Sequence, residues 1–458
     1  MLTNLDWLSY GAEYPPKSER GRLERYRLNE QLFLSNHPRV WQENFNELAR
    51  RLHKKVQEVE TIFNYQQLLS KKTADFICGT PPAIETESDT DMLTNILNRQ
   101  KWSVLLYEAF IDVSRYGNAV VKIKGKSMSA VSPAFWFPVV DPTDLKVITH
   151  HVIAYPTNPD KDGKMTWLYV EIHQPGKVMM KTFALTAENR IGVLLEEKEE
   201  PTGLNDFAVQ ILTNVTHSGS LFGIDDYAIV NSLVEKLMWR LHCVDNILDK
   251  HSEPSLSGPE SALSYDEKFK RYYLDLGKYF KRSSNDDPDL KYLTWDGNLS
   301  SAFDEIELLF KQIYILSEMG QAFTEGDDAG SASSGTALKL RLVSPRVKAA
   351  RLVGINENTV KKLICLIAQI NSISIDCDKL TLHWSDGLPV DETEQFQNLY
   401  TATGGKPIMS QYAAMKRMGL SDKETEAELQ QIANENAANA PLYLTTIDGG
   451  ESNDGETT

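Results

Sequence analysis

The residues best suited to contact a phosphate chain form one basic run. Lys339, Arg341, Arg346, Lys348 and Arg351 follow one another with no acidic residue between them. Because lysine and arginine can replace the counterions of nucleic-acid phosphates, this run could contact DNA or a neighbouring subunit. Ordinary salt bridges on a helix face are the slightly simpler interpretation. The residue types alone leave both open.

The segment just before this run has the opposite composition. Residues 324–335 hold acidic and small side chains, with no base and no large apolar residue: Glu325, Gly326, Asp327, Asp328, Gly330, Ser331, Ser333, Ser334 and Gly335. A segment with nothing to bury gains little from packing, so we predict an exposed, mobile loop. Taken by itself, this charge run is typical of a solvated surface loop.

Patterns typical of enzymes are absent from the sequence. Gly404-Gly405-Lys406 lacks the first glycine of a phosphate-binding loop and is followed by proline. His150 and His151 lie in a predicted strand and would point to opposite faces. The acidic 286–289 segment lacks the central glycine of a calcium loop, which favours a solvated loop. We therefore predict no catalytic centre, no metal site and no cofactor.

Composition and charge set further limits. The 458 residues carry a formal net charge of −16 with ordinary hydrophobic and charged fractions, and this length predicts about three domains. Proteins that grip DNA are usually basic, so this charge argues against a conventional DNA-binding protein. It does not exclude a protein past which DNA slides.

The sequence also indicates a reducing compartment. The four cysteines, which lie far apart without metal-ligand spacing, are Cys78, Cys243, Cys365 and Cys377. We expect them to be buried free thiols. The first ten residues do not resemble a secretory signal, and no apolar stretch reaches the length of a membrane span. We therefore expect a protein made in a cytoplasm.

Hydrophobic periodicity divides the first half of the chain into two regions. Apolar residues recur at helical spacing over 20–72 and 90–117, and Gly117 is placed to cap the second segment. Alternating, β-branched sequence follows over 118–215, with strands predicted at 119–124, 134–140, 146–154, 167–173, 177–185, 190–196 and 207–213.

Two long helices are predicted in the second half. The first spans 225–252, with Asp225 and Asp226 at its amino end, and the second spans 302–323. The segment between them is rich in proline, glycine and serine, with a short helix or strand or two. Two helices that bracket a small insert predict an antiparallel pair with a mini-domain at its tip.

The remainder is mostly helical. A third run spans 336–371, and Pro345 inside it predicts a kink or a break. A strand at 379–384 and helices at 391–402, 410–418 and 422–436 follow, the last with a capping box at Ser421 and Glu424. The acidic tail 441–458 is predicted to be disordered.

Four segments in this order resemble the portal proteins of tailed bacteriophages, the branch typical of siphophages of Gram-positive hosts. They are Phe76-Ile-Cys-Gly-Thr-Pro-Pro82, Phe222-Gly-Ile-Asp225, Ser334-Gly-Thr-Ala-Leu-Lys339 and Lys406-Pro-Ile-Met-Ser410. The third is the strongest match, because it follows two long helices and a glycine-serine loop. The resemblance is clearest over 205–435.

This resemblance implies an α+β portal fold with an α/β wing, a two-helix stem, a small clip insert, a kinked long helix and an α-helical crown. Carried onto this sequence, the parts are the wing at 1–224, stem helices at 225–252 and 302–323, the clip at 253–301, a tunnel loop at 324–335, the long kinked helix with the returning wing strand at 336–390, and the crown with its acidic disordered tail at 391–458.

The resemblance also implies a function without enzymatic activity. Copies would form a dodecameric ring at one capsid vertex, the channel for genome packaging and ejection. Partners would be the terminase large subunit, a head–tail adaptor, scaffold and major capsid protein, with double-stranded DNA passing without sequence specificity and no membrane contact. The protein would be assembled in the host cytoplasm and reside in the virion. Repeated around such a ring, Glu325, Asp327 and Asp328 would repel phosphates and favour sliding.

Two other functions compete with this one. Another capsid-associated head-completion or adaptor protein could share the composition, although the two long helices with an insert argue against it by fold analogy. A DNA-packaging enzyme would need a phosphate loop or an acidic metal cluster, and the sequence shows neither.

Overall fold

The computed structural model describes residues 1–59, 62–87, 89–252, 256–257, 263–274, 291–292, 299–320, 342–385, 399–403, 409–418, 420 and 422–438. The chain divides into two compact units, Met1–Leu388 and Pro389–Thr458. The first unit combines helices and sheets, so the chain has an α+β fold, as predicted.

Six helices lie in the first 117 residues: α1 Arg20–Phe33, α2 His37–Val40, α3 Gln42–Leu52, α4 Tyr65–Cys78, α5 Thr90–Arg99 and α6 Trp102–Tyr116. The continuous helical segment predicted over 90–117 is two helices. Lys101 has a φ of 53°, and this left-handed backbone ends one helix and starts the other in a new direction. Gly117 caps α6 with a φ of 81°, as predicted.

The strands build two antiparallel sheets. The larger runs in the order β4 Trp136–Val140, β5 Ile148–Pro159, β6 Met165–Gln174, β7 Lys177–Leu185 and β8 Ile191–Pro201. The smaller has the order β3-β2-β9, with β2 at Asn118–Lys124, β3 at Ser127–Val131 and β9 at Val209–Thr213. All seven predicted strands are present, and β3 was missed. Its sequence, Ser-Met-Ser-Ala-Val, has only a weak alternating pattern.

The two sheets form successive layers of one body. One face of the larger sheet is covered by the amino-terminal segment through Leu2, Trp7, Leu8 and Tyr14. Its other face meets the smaller sheet, with Trp136 and Ile153 against Val120 and Val209. Helices α4, α5 and α6 cover the far side of the smaller sheet.

A buried polar cluster joins the sheets. Lys122 Nζ on β2 lies 2.8 Å from a carboxylate oxygen of Glu171 on β6, and His173 Nε2 lies 3.0 Å from the same carboxylate. Burial alone would raise the pKa of Glu171, but these two partners outweigh it and bring the pKa to about 2. Trp136 Nε1 donates to His151 Nδ1 at 3.1 Å. Burial, together with His173, lowers the pKa of His151 to about 3, so its ring is neutral.

The long helices follow the sheets. Helix α7 spans Asn231–Ser252 and α8 spans Ser300–Leu316. The first therefore begins six residues later than predicted, because residues 226–230 form turns, the first of which Asp225 caps through the Ala228 amide. The second ends at Leu316, where Ser317 donates its hydroxyl to the Tyr314 carbonyl and Glu318 adopts a φ of 58°.

Between these two helices the structure describes only short strands. They are β10 Leu256–Ser257, β11 Leu263–Asp266, β12 Arg271–Leu274 and β13 Lys291–Tyr292, and β10 pairs with β13 while β11 pairs with β12.

Helix α9, Val343–Ile370, is the longest described helix. Pro345 lies in its first turn, where a backbone nitrogen has no helical acceptor to bind, so the described residues do not need the interior kink that was predicted there. Strand β14, Thr381–His383, then pairs with β1, Ala83–Glu85. Contrary to the expectation of four free thiols, Cys365 and Cys377 form a disulfide, because the chain turns back after α9 and brings their Cα atoms to 6.0 Å.

The second unit contains helical residues at 399–403 and two helices with described bounds, α10 Gln411–Arg417 and α11 Asp422–Ala438. Ser410 caps α10 by accepting from the Ala413 amide. The predicted capping residue Ser421 lies outside the described residues. Over the described part of the chain, none of the helices combines the length and apolar content that crossing a bilayer requires.

The buried His151 predicts how stability depends on pH. Its pKa is about 3 in the folded chain and 6.5 when unfolded, so the unfolded chain binds the extra proton as pH falls below 6.5. We expect the free energy of unfolding to fall by about 2 kcal/mol more between pH 7 and 5 for the wild type than for His151→Gln. Urea unfolding across this range measures the difference, and parallel profiles would contradict it.

Candidate functional site

The carboxylate of Asp226 is the centre of a polar junction between five parts of the fold. Its Oδ2 accepts from Lys348 Nζ at 2.8 Å, from Ser114 Oγ at 2.7 Å and from Thr73 Oγ1 at 3.4 Å. Its Oδ1 accepts from Asn214 Nδ2 at 3.0 Å. These partners come from α9, α6, α4 and the segment after β9, so one acid ties the first unit together.

Lys348 extends this junction to the end of α8. Its side chain is 4% exposed, and Nζ lies 3.3 Å from the carbonyl oxygen of Ser317 as well as 2.8 Å from Asp226. One turn further along α9, Arg351 forms an exposed ion pair with Glu318. Lys348 and Arg351 of α9 therefore bind the residues that follow α8, and these contacts bring the residues on either side of segment 321–341 close together.

The contacts of Lys348 also fix the direction of α8. Ser317, which follows α8, meets Asp226, which precedes α7, through this single lysine. Midway along the pair, Glu305 bridges Lys236 at 3.1 Å and Arg240 at 3.0 Å. The two helices are thus antiparallel, as predicted, and the apolar residues between them form one core.

A chain of hydroxyl groups continues the junction into the interior. Tyr227, fully buried, shares a hydrogen bond of 2.9 Å with Ser70, which in turn donates to Ser114 at 3.1 Å. Burial raises the pKa of Tyr227, so its phenol is neutral. Because each of these buried hydroxyl groups has a partner, the apolar surroundings do not penalise them.

Asp225, the residue before Asp226, makes its own contacts beside the junction. Its Oδ1 accepts from the Ala228 amide at 2.9 Å, and its Oδ2 lies 3.3 Å from Arg25 Nε on α1. Burial raises the pKa of Asp225, and Arg25 opposes that rise. The two neighbouring acids therefore attach the start of the helix pair to α1 and to α9.

Two glycines allow the backbone to reach this junction. A Cβ at Gly223 would lie 2.1 Å from the Gly117 carbonyl oxygen, and a Cβ at Gly117 would lie 2.2 Å from that of Gly223. The same approach lets the Asn214 amide donate to the Gly117 carbonyl at 2.9 Å. Only residues without a side chain fit here, which explains the glycine in the segment Phe222–Asp225.

The structure changes the interpretation of the basic run. Lys348, for which a salt bridge was the slightly favoured alternative to a contact with DNA or a neighbouring subunit, forms a buried salt bridge within the chain, because its length reaches Asp226. Arg351 is paired with Glu318, and Arg346 lines an apolar groove with Val347 and Trp384. Lys339 and Arg341 lie outside the described residues.

The tunnel-loop residues also lie outside the described residues: Glu325, Gly326, Asp327, Asp328, Gly330, Ser331, Ser333, Ser334 and Gly335. Sequence reasoning missed Ser114, Asn214 and Ser317, whose polar side chains and backbone complete the junction. An acid pair just before a long helix was the available signal, and it was interpreted as a helix cap.

The hydrogen bonds and ion pairs of the junction hold separate parts of the fold in position. In the part of the chain that the structure describes, no group of three or more histidine, cysteine or acidic side chains could hold a metal ion.

The Lys348–Asp226 pair predicts a large loss of stability on its removal. Lys348→Met would leave Asp226 buried without its cation, and we expect the free energy of unfolding to fall by about 3–5 kcal/mol in urea titrations. The matched control, Arg351→Met, removes an exposed pair on the same helix and should cost less than about 1 kcal/mol. Equal losses from the two substitutions would contradict the structural role given to Lys348.

Known proteins provide an independent comparison. One similar solved structure is the virion of a native gene transfer agent particle, with 10% identity and a TM-score of 0.39, covering 78% of this chain and 89% of that one. Another is the neck of an empty gene transfer agent particle computed with C6 symmetry, with 10% identity and a TM-score of 0.40, covering 78% and 88%. No curated protein sequence matches.

A family model gives the decisive match. The family described as phage portal protein, SPP1 Gp6-like, matches residues 21–442 of this chain, which is most of its length and includes the helix pair and the junction. The chain therefore belongs to the SPP1 Gp6-like family of phage portal proteins.

Proposed function

We propose that this chain is the subunit of a closed ring at one capsid vertex, through which double-stranded DNA is packaged and ejected. The observation that carries this proposal is the antiparallel pair α7 and α8, anchored at its base by Lys348, in a chain of the portal family. A rigid helix pair fixed to a mixed α/β body is what a wall of such a channel requires. Symmetric copies would close the ring.

We assign the parts as the resemblance implies. The wing is 1–224 with the returning strand after α9, the stem is the pair within 225–252 and 302–323, and the clip lies between them at 253–301. The crown is 391–458. The division of the chain at Pro389 supports a separate carboxy-terminal part.

DNA would pass through this ring without being gripped. Residues 324–335 would line the channel, and their acidic side chains would repel phosphates. The junction supports this view, because Lys348 is buried and both Lys348 and Arg351 are already paired with acids of the same chain. These two cations therefore have acidic partners before any DNA arrives.

The proposed partners follow from this position. The clip would dock the terminase large subunit during packaging and a head–tail adaptor afterwards, while scaffold and major capsid protein would surround the wing. ATP hydrolysis would belong to the motor, so the chain itself would need no cofactor. The ring would be a dodecamer, assembled in the host cytoplasm and retained in the virion.

Ring formation is the first test. Negative-stain electron microscopy and native mass measurement of the purified chain should show rings with a central hole. Leu308 and Ile315, which are 56% and 65% exposed along α8, would be covered by a neighbouring stem. We expect Ile315→Glu to yield monomers that keep their helical content, whereas Gln312→Glu, with the same charge change on α8, should still form rings.

A monomer that hydrolysed ATP in the presence of DNA would overturn the proposal and favour a packaging enzyme. Rings that form equally well with Ile315→Glu would show that α8 does not form the subunit contact.

The charge of the channel is the second test. We expect wild-type rings to leave linear double-stranded DNA unbound at physiological salt. Replacing Glu325, Asp327 and Asp328 together with lysine should make the rings retain DNA, with affinity that falls steeply as salt rises. The control replaces the same residues with glutamine or asparagine. If lysine and amide variants behave alike in a gel-shift titration, these residues do not face the DNA.

A further inference from the structure

Strand β8 forms an edge of the larger sheet that is open along most of its length. Strand β8 is hydrogen-bonded to β7 on one side, and it is the last strand of the sheet. Along Val193–Glu200, which we call the open edge, no backbone hydrogen bond to a second neighbour occurs among the described residues. The side chains from Val193 to Glu199 are all exposed. Unpaired donors and acceptors on an exposed edge are a template for another strand.

Where this edge begins, residues 189–191 already pair with residues 11–14 of the same chain. The Gly11 amide donates to the Ile191 carbonyl at 2.7 Å, and the Ile191 amide donates to the Ala12 carbonyl at 2.8 Å. Tyr14 donates to the Asn189 carbonyl at 2.8 Å. This short antiparallel addition stops at Ile191, because the preceding chain turns at Gly11 and coils into a 3-10 helix at Asp6–Leu8. The open edge therefore continues an existing strand addition.

The side chains of the open edge fall into an apolar half and an acidic half. Val193, Leu194 and Leu195 are 57%, 45% and 49% exposed, and Tyr10, 78% exposed, lies in the chain just before the paired segment. Lysine or proline often blocks such an edge, and neither occurs in this half. The second half is Glu-Glu-Lys-Glu-Glu, a net charge of −3 from four acids and one base. Three of these acids, Glu197, Glu199 and Glu200, form solvent-exposed ion pairs with lysines of the same sheet, which are weak and can be exchanged for those of a partner.

The geometry disfavours a second copy of β8 as the occupant. Because residues 11–14 already occupy the edge at 189–191, two β8 strands could pair antiparallel only within Val193–Glu200. If the whole of this segment pairs with its copy, Glu196 of one copy lies opposite Glu197 of the other. Like charges directly opposite each other destabilise a strand pair. A partner with basic side chains would instead find opposite charges.

We propose that the open edge binds an extended basic segment of another protein by strand addition. Its backbone would pair with the outer side of β8, its apolar side chains would cover Val193–Leu195, and its lysines or arginines would face the glutamates at 196–200. This surface lies on the sheet and away from the helix pair, so the inference does not depend on ring formation or on the passage of DNA.

The test uses the full chain and a labelled octapeptide, Lys-Lys-Thr-Lys-Lys-Val-Val-Val, which in an antiparallel pairing places its valines opposite Val193–Leu195 and its lysines opposite the four glutamates. We expect saturable binding by fluorescence anisotropy, and slower hydrogen exchange of amides within 193–200 when the peptide is bound. A peptide N-methylated at alternate residues has the same charge but cannot donate along one side, so it should neither bind comparably nor protect these amides.

Charge variants separate strand addition from general attraction to an acidic protein. Glu196→Gln with Glu200→Gln should weaken binding about fivefold, because two cross-strand charge pairs are lost. Glu426→Gln with Glu428→Gln, an equal charge change on exposed α11, should have little effect. Absence of binding, equal binding of the N-methylated peptide, or equal effects of the two double variants would each overturn the proposal. Protection of 193–200 that rises with the concentration of the chain alone would identify a second copy as the occupant, which would also overturn it.

Discussion

A buried ammonium group must have an acid within reach, and this requirement organises the first unit of the protein. Lys348 is almost fully enclosed, and its hydrogen-bond partners in the described part of the chain are Asp226 and the Ser317 carbonyl. Since an unpaired charge in such surroundings costs several kcal/mol, α9, the start of the helix pair and its end must occupy one arrangement. The other hydrogen bonds of Asp226 extend this constraint to α4 and α6.

The two sheets form the other part of the body in which this junction lies. Their faces are covered in turn by the amino-terminal segment, by each other and by helices, so the body is a stack of layers. The polar cluster of Lys122 and Glu171 fixes the two sheets against each other, and the close approach of Gly117 and Gly223 fixes the smaller sheet against the start of the helix pair. The base of the helix pair is therefore held by packed and hydrogen-bonded neighbours.

Buried charged residues in the described part of the chain form ion pairs that hold distant elements of the fold together. Asp226, Glu171 and Asp225 each have a cation from a distant part of the chain, and among the described residues none of them belongs to a group that could hold a metal ion. This distribution agrees with membership of a portal family, and with the proposed ring that guides DNA without binding it. Where the chain leaves acidic side chains exposed on β8, the neighbouring backbone is also unpaired, and both features favour a partner strand.

Local pattern was sufficient to predict most elements of this protein. Alternation identified seven of the strands, helical periodicity identified the long helices, and the order of glycine-containing segments indicated the family. Each of these signals lies within a few residues of sequence. The tertiary structure alone decided what depends on residues far apart. Asp226 was interpreted as a helix cap, and no partner could be assigned to Lys348, because their partnership spans 122 positions. The disulfide between Cys365 and Cys377 and the first-turn position of Pro345 were decided by where the chain turns and where a helix starts. Contacts between residues so far apart in sequence depend on how whole helices and strands pack, so they cannot be predicted from the pattern of neighbouring residues.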